Sequence, residues 1–157
     1  NERKEITPPS ASWSSSEAEI RRRDGFALWK SRRNAIHNLQ WKLTNLAIAA
    51  VDSASKNDNG YNLARHFLDV GLHSDQYWWA SGRIIFGNYL LWSIEMIERG
   101  AKYLLDAVNC LDSVKMRDKE TAHKLYDKIL STAFKWQRNG IVAQKRVMLS
   151  KRFARSK

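Results

Sequence analysis

Seven cations, Arg21, Arg22, Arg23, Lys30, Arg32, Arg33 and Lys42, share residues 20–42 with one acid, Asp24. A second group, with Lys135, Arg138, Lys145, Arg146, Lys151, Arg152, Arg155 and Lys157, occupies residues 135–157 and includes no acid. A guanidinium presents a planar fork of donors that matches phosphate oxygens, and an ammonium adds a compact charge. Each phosphate neutralised in this way releases condensed counterions, which drives binding without reference to base sequence. The formal balance is +6 over residues 20–42 and +8 over 135–157, against −2 over 1–19 and −1 over 43–134. The chain's net charge of +11 is thus concentrated on two segments flanking a nearly neutral middle. Concentration of this kind points to a polyanion, with nucleic acid favoured over an anionic membrane, an acidic protein or mere solvation of a charged face. Phe26 and Trp29 interrupt the first run, and Met148 and Phe153 the second. Such residues seat a helix on its own bundle or on a neighbouring subunit, or else lie against sugars and unstacked bases.

Other chemistry lacks the spacing it needs. His37, His66, His73 and His123 form no HxxxH pair, and Cys110 is the only cysteine, so zinc-type spacing is missing. Glu95 and Glu98 face similar directions on a helix, but a di-iron bundle needs Glu-x-x-His pairs from two helices. They are better read as carboxylates near a helix end or as partners of Arg99 or Lys102. No glycine-rich phosphate loop, nucleophile elbow or dinucleotide fingerprint occurs. The expectation is a protein without catalytic activity, metal or cofactor. Tyr77-Trp78-Trp79 could stack on bases, but adjacent residues on a helix point three ways, which sends some of them into a core or a subunit contact.

The elements that must position these residues read as helical. A length of 157 residues suits one domain, and 43 % hydrophobic residues exclude a disordered tail. Residues 1–16 form a flexible arm with Pro8-Pro9 and a serine cluster, and lack the apolar run of a secretory signal. Ser16 and Glu19 fit a capping box that starts a helix near Glu17. Its apolar stripe, Trp29, Ile36, Leu39, Leu43, Leu46 and Ala50, continues to about Ser55, with a bend at Gly25. On such a helix Arg22 and Arg33 lie roughly 16 Å apart, enough to follow several phosphates. A turn at Lys56–Gly60 leads to a helix over Asn62–Val70 with Leu63, Phe67 and Val70 on one side, ended by Gly71. Ser74 or Asp75 caps a helix from Gln76 to Val108. Its apolar stretch Ile84–Ile97 falls short of the ~20 residues that a membrane span requires and reads as a buried core helix. After a break at Asn109–Ser113, Ala122, Leu125, Ile129, Ala133 and Trp136 mark a last long helix. Asn139-Gly140 ends or hinges it, and a basic tail helix runs from Ile141 to about Phe153. No strand is expected. The fold is all-α: a single bundle of about four helices over residues 17–157, with an extended N-terminal arm and basic helical extensions at about 20–42 and 135–157.

A neutral bundle carrying two basic extensions suits a packaging protein, and seven Trp suit extensive contacts between copies. In this layout the chain resembles the major coat proteins of the filamentous DNA viruses of archaea, the lipothrixvirus and rudivirus group. The matching features are the arm ending at Trp13, the helix with Arg21-Arg22-Arg23 and Arg32-Arg33, the bundle from about Trp41 to Trp136, and the basic tail from Arg138. The resemblance implies a helical capsid whose coat dimers wrap double-stranded DNA in the A form. It places the chain in the virion, and in the host cytoplasm during assembly. In the lipothrixvirus branch it further implies a paralogous coat subunit and a lipid envelope. Two other classes share the basic faces: a small RNA-binding bundle serving a cellular ribonucleoprotein or reverse transcriptase, and a membrane-surface protein anchored by its amphipathic tail helix.

Overall fold

The computed structural model describes residues 9–73, 75–85 and 89–155. Among them run α1 (Glu17–Arg21), α2 (Ala35–Ser53), α3 (Tyr61–Gly71), α4 (Asp75–Trp79), β1 (Ile84–Ile85), β2 (Tyr89–Leu90), α5 (Ile94–Asn109), α6 (Met116–Asn139) and α7 (Ile141–Arg155). The protein is mostly helical. Helices α2, α3, α5 and α6 pack on one another, α4 lies on α5, and α7 packs on α6. Their common core includes Ile36, Leu43, Ala47, Leu68, Ile97, Leu104, Val108 and Ile129. Residues 1–8 of the expected arm lie outside the described residues, as do Ser74 and residues 156–157.

The expected helix from Glu17 to Ser55 is two helices with an irregular loop between them. Ser16 caps α1 through the anticipated box: its hydroxyl accepts the Glu19 N–H at 3.3 Å while the Glu19 carboxylate accepts the Ser16 N–H at 2.8 Å. The helix stops after one turn because Arg23 adopts the left-handed region, with φ of 56°. Asn34 then starts α2. Its Oδ1 accepts the Ile36 and His37 N–H groups at 2.9 and 3.1 Å, and its Nδ2 ties the start of the helix to the Ala80 carbonyl at 2.9 Å. From Ile36 onward the stripe is as expected: Ile36, Leu43 and Ala50 are buried, with Leu39 and Leu46 half-buried beside them.

The expected helix from Gln76 to Val108 is also interrupted, and the fold is not purely all-α. After α4 the chain turns through Gly82, at φ of 59°, into a two-stranded antiparallel hairpin in which Ile84 pairs with Leu90 and Ile85 with Tyr89. Helix begins again only where Ser93 accepts the Met96 N–H at 3.2 Å. Ile84–Ile97 is therefore not one core helix, and Tyr89 is 53 % exposed. An apolar run bounded by glycine fits a short strand as well as a buried helix.

In α3 the buried face is Ala64, Leu68 and Gly71, one position on from the stripe the sequence suggested; Leu63 is 51 % exposed. Small residues at Ala64 and Gly71 let α3 approach α5 closely. A Cβ on Gly71 would lie 2.9 Å from a Leu104 methyl, so Gly71 serves contact between helices and Leu72 is the cap. That backbone wall cannot collapse into a void. Leu104→Ala should therefore fall high in the usual range for such truncations, at about 4 kcal/mol of lost stability by urea unfolding.

Candidate nucleic-acid interface

The loop between α1 and α2 is fastened from below. Leu28 is fully buried, and Ala27 and Ser31 nearly so. The Ser31 N–H donates to His37 Nδ1 at 3.2 Å, which leaves the ring proton on Nε2 to be donated to the Tyr77 carbonyl at 2.8 Å. The Ser31 hydroxyl donates to the Asp24 carboxylate at 2.8 Å. Trp41 Nε1 donates to the Trp29 carbonyl at 2.8 Å, and Asn38 Nδ2 to the Arg32 carbonyl at 3.1 Å. The described end of the arm crosses this loop: the Ser12 N–H donates to the Gly25 carbonyl at 2.8 Å, and the Ser15 hydroxyl donates to the same oxygen. Gly25 has no room for a Cβ, which would run into the Ser10 carbonyl.

Held in this way, the loop and the outer face of α2 enclose an open cleft of about 640 Å³. Arg23, Lys30, Arg32 and Lys42 line it, with Asp24 the one carboxylate. Asn38 and Asn45 add side-chain amides, and Phe26 and Trp41 add rings. The Lys30 ammonium sits 4.2 Å from the centre of the Trp41 ring. Tyr77 stacks on that same ring at 5.0 Å and 22°, and its hydroxyl meets the Thr44 hydroxyl at 2.5 Å in the core. Trp41 is thus engaged within the chain and positions Lys30. The left-handed backbone at Arg23, costly for a residue with a side chain, falls at the rim of the same cleft.

The remaining cations divide. Arg21 forms an exposed pair with Glu17 on α1. Arg22 and Arg33 are exposed, but they do not form the expected row, because the chain between them is not helical. Arg33 borders a second depression together with Arg83 and Lys145. There the Glu19 carboxylate is largely buried, which by itself would raise its pKa. Two hydrogen bonds from Ser16, at 2.8 and 2.9 Å, and the Arg83 guanidinium at 3.0 Å outweigh that and hold it below the usual carboxylate range. Lys145 turns inward: its ammonium donates to the Gly82 carbonyl, and burial, with Arg83 nearby, lowers its pKa. Arg138, Arg146 and Lys151 are exposed along the end of α6 and on α7. Arg152 and Arg155 also lie on α7, with only their backbone among what is described. No described carboxylate comes within 4 Å of Arg22, Arg23, Lys30, Arg32, Arg33, Lys42, Arg138, Arg146 or Lys151.

Asn38, Asn45 and Arg83 were not singled out from the sequence. Asn38, Lys42 and Asn45 step by four and three along the exposed side of α2, so the helical register would have grouped them. Tyr77, Trp78 and Trp79 do point three ways: Tyr77 into the core, Trp78 between Trp13 and Trp29, and Trp79 toward Tyr89. Among the described residues no three His, Cys, Asp or Glu side chains gather to hold a metal, and no helix is long and apolar enough to cross a membrane. No protein-family model, curated protein or solved structure matches the chain.

His37 links the cleft to pH. It is fully buried, and burial pulls its pKa from 6.5 down to about 4, against the opposing pull of the Tyr77 carbonyl and the Asp24 charge. The unfolded chain therefore binds the proton first. Stability should be intact above about pH 6.5 and fall as pH drops toward 4, by about 3 kcal/mol in total from this group. Urea unfolding at a series of pH values measures the slope, and His37→Gln should flatten it.

Proposed function

We propose that this chain is a structural nucleoprotein, the major coat protein of a filamentous virus. It wraps and protects double-stranded DNA by gripping phosphates, without reading sequence. The observation that carries this reading is the convergence of Arg23, Lys30, Arg32 and Lys42 in one concave cleft with a single carboxylate, between the outer face of α2 and a loop fixed from beneath. Cations brought together at such density favour a ligand with closely repeated negative charge. Exposed Arg22, Arg33, Arg138, Arg146 and Lys151 extend the positive surface beyond the cleft.

The state of Trp41 supports a duplex over an unstacked strand. Proteins that hold single strands offer aromatic faces on which bases stack. In the cleft Trp41 already carries Tyr77 and Lys30. Phe26, 43 % exposed at the cleft, is the observation favouring the second reading, a small RNA-binding bundle that serves a ribonucleoprotein. Negative-stain images of the purified assembly separate the two: long filaments that protect DNA from nuclease support the coat, and discrete particles that protect RNA support the alternative.

Salt titration tests the phosphate contacts directly. If about ten phosphates are neutralised per binding unit, log K against log salt on duplex DNA should have a slope near −9. The double substitution Arg23→Ala with Lys42→Ala should reduce its magnitude by about 2, and to the same extent on duplexes of unrelated sequence. Lys102→Ala, which removes a cation paired with Asp106 at 2.5 Å, should leave the slope where it was. A slope near zero for the unaltered chain rejects the proposal.

A further inference from the structure

On a different part of the body from the basic cleft lies an apolar one. Trp78, Trp79, Ile85, Tyr89 and Leu91 bound a hollow of about 370 Å³, with Asp75 as its charged member. Its walls come from α4 and from both strands of the hairpin. A hollow this aromatic, with one exposed carboxylate, suits an apolar side chain flanked by a cation.

The same chain carries such an element on α7. The first turn of α7 is docked: Val142 is fully buried, and Lys145 reaches the Gly82 carbonyl. Beyond that turn Val147 and Met148 are 53 % and 54 % exposed. Lys151 lies three and four residues further on and so shares their face, whereas Arg146 lies nearly opposite Met148. Residues 135–157 contain no acid. Helix α7 leaves the body next to Gly82, two residues before β1, yet neither Val147 nor Met148 is among the residues that bound the aromatic hollow.

We infer that α7 of one copy seats Val147 and Met148 in the Trp78–Trp79–Tyr89 hollow of a second copy, with Lys151 against Asp75. Thioether and aromatic rings attract one another, and the Lys151 stem covers apolar surface while its ammonium meets the carboxylate. The two surfaces are different patches of one chain, so the contact is heterologous and can repeat from copy to copy. Arg146 is left facing outward for phosphate. The contact supplies the self-association that the coat reading requires, and it rests on that reading only for its purpose.

The test is sedimentation of the full chain, with and without duplex DNA. Wild type should form concentration-dependent multimers. Met148→Glu, an exposed substitution, should shift it to monomer with an unchanged urea midpoint. Trp79→Ala should also shift it to monomer, from the other side. An equimolar mixture of the two variants retains one intact contact, between the tail of Trp79→Ala and the hollow of Met148→Glu, and should stop at dimers. The salt slope of Met148→Glu on short duplexes should equal that of wild type, which keeps loss of this contact distinct from loss of nucleic-acid binding. Multimers of Met148→Glu indistinguishable from wild type would overturn the inference. So would unchanged sedimentation accompanied by lost binding to anionic phospholipid vesicles, which would assign the apolar edge of α7 to lipid.

Discussion

Like charges held in one cleft repel one another, and the shape of the cleft depends on what opposes that repulsion. Here the opposition comes from beneath. A loop bearing Arg23, Lys30 and Arg32 is pinned by Leu28 in the core, by the Ser31 N–H on a neutral buried imidazole, and by the Trp29 carbonyl on Trp41. The imidazole is neutral because burial disfavours its charged form, so one more positive charge is kept from the underside of a cationic loop. The Asp24 carboxylate is drawn toward Ser31, which stiffens the loop. Lys30 is steadied by an indole face, a partner that attracts the ammonium without neutralising it.

The neighbouring depression follows the opposite principle. Glu19 is satisfied by its own helix cap and by Arg83, and Lys145 spends a donor on the Gly82 carbonyl. These groups join α1, the hairpin approach and α7 into one structure. The basic tail therefore divides at its first turn: Lys145 fastens it, whereas Arg146 and Lys151 remain exposed.

Much of this was legible in the sequence because it is local. The Ser16–Glu19 cap, the turn before α3, the α2 stripe from Ile36, the limits of α6 at Gly140 and the start of α7 all follow from short-range chemistry, and the charge segregation from counting. What escaped needed tertiary information. Arg23 in the left-handed region leaves no mark in composition, so α1 and α2 read as one helix and Arg22 and Arg33 as a row. Ile84–Ile97 reads as a helix by hydrophobicity, whereas Gly82 and the Ser93 cap confine α5 to its second part. Gly71 sits where a cap belongs, and only the approach of Leu104 gives it another role. Lys145 is indistinguishable from its basic neighbours until Gly82 is brought beside it.

Trp41 gives the cleft an optical handle. Its indole has the Lys30 ammonium above the ring and the Tyr77 ring stacked on it, and its N–H is committed to a backbone carbonyl. A cation that close perturbs the excited state of an indole, so drawing Lys30 away toward a ligand alters the fluorescence of a chromophore that itself stays still. Emission from this one ring, isolated by replacing the six other tryptophans with phenylalanine, would report on the occupancy of the cleft without any attached dye.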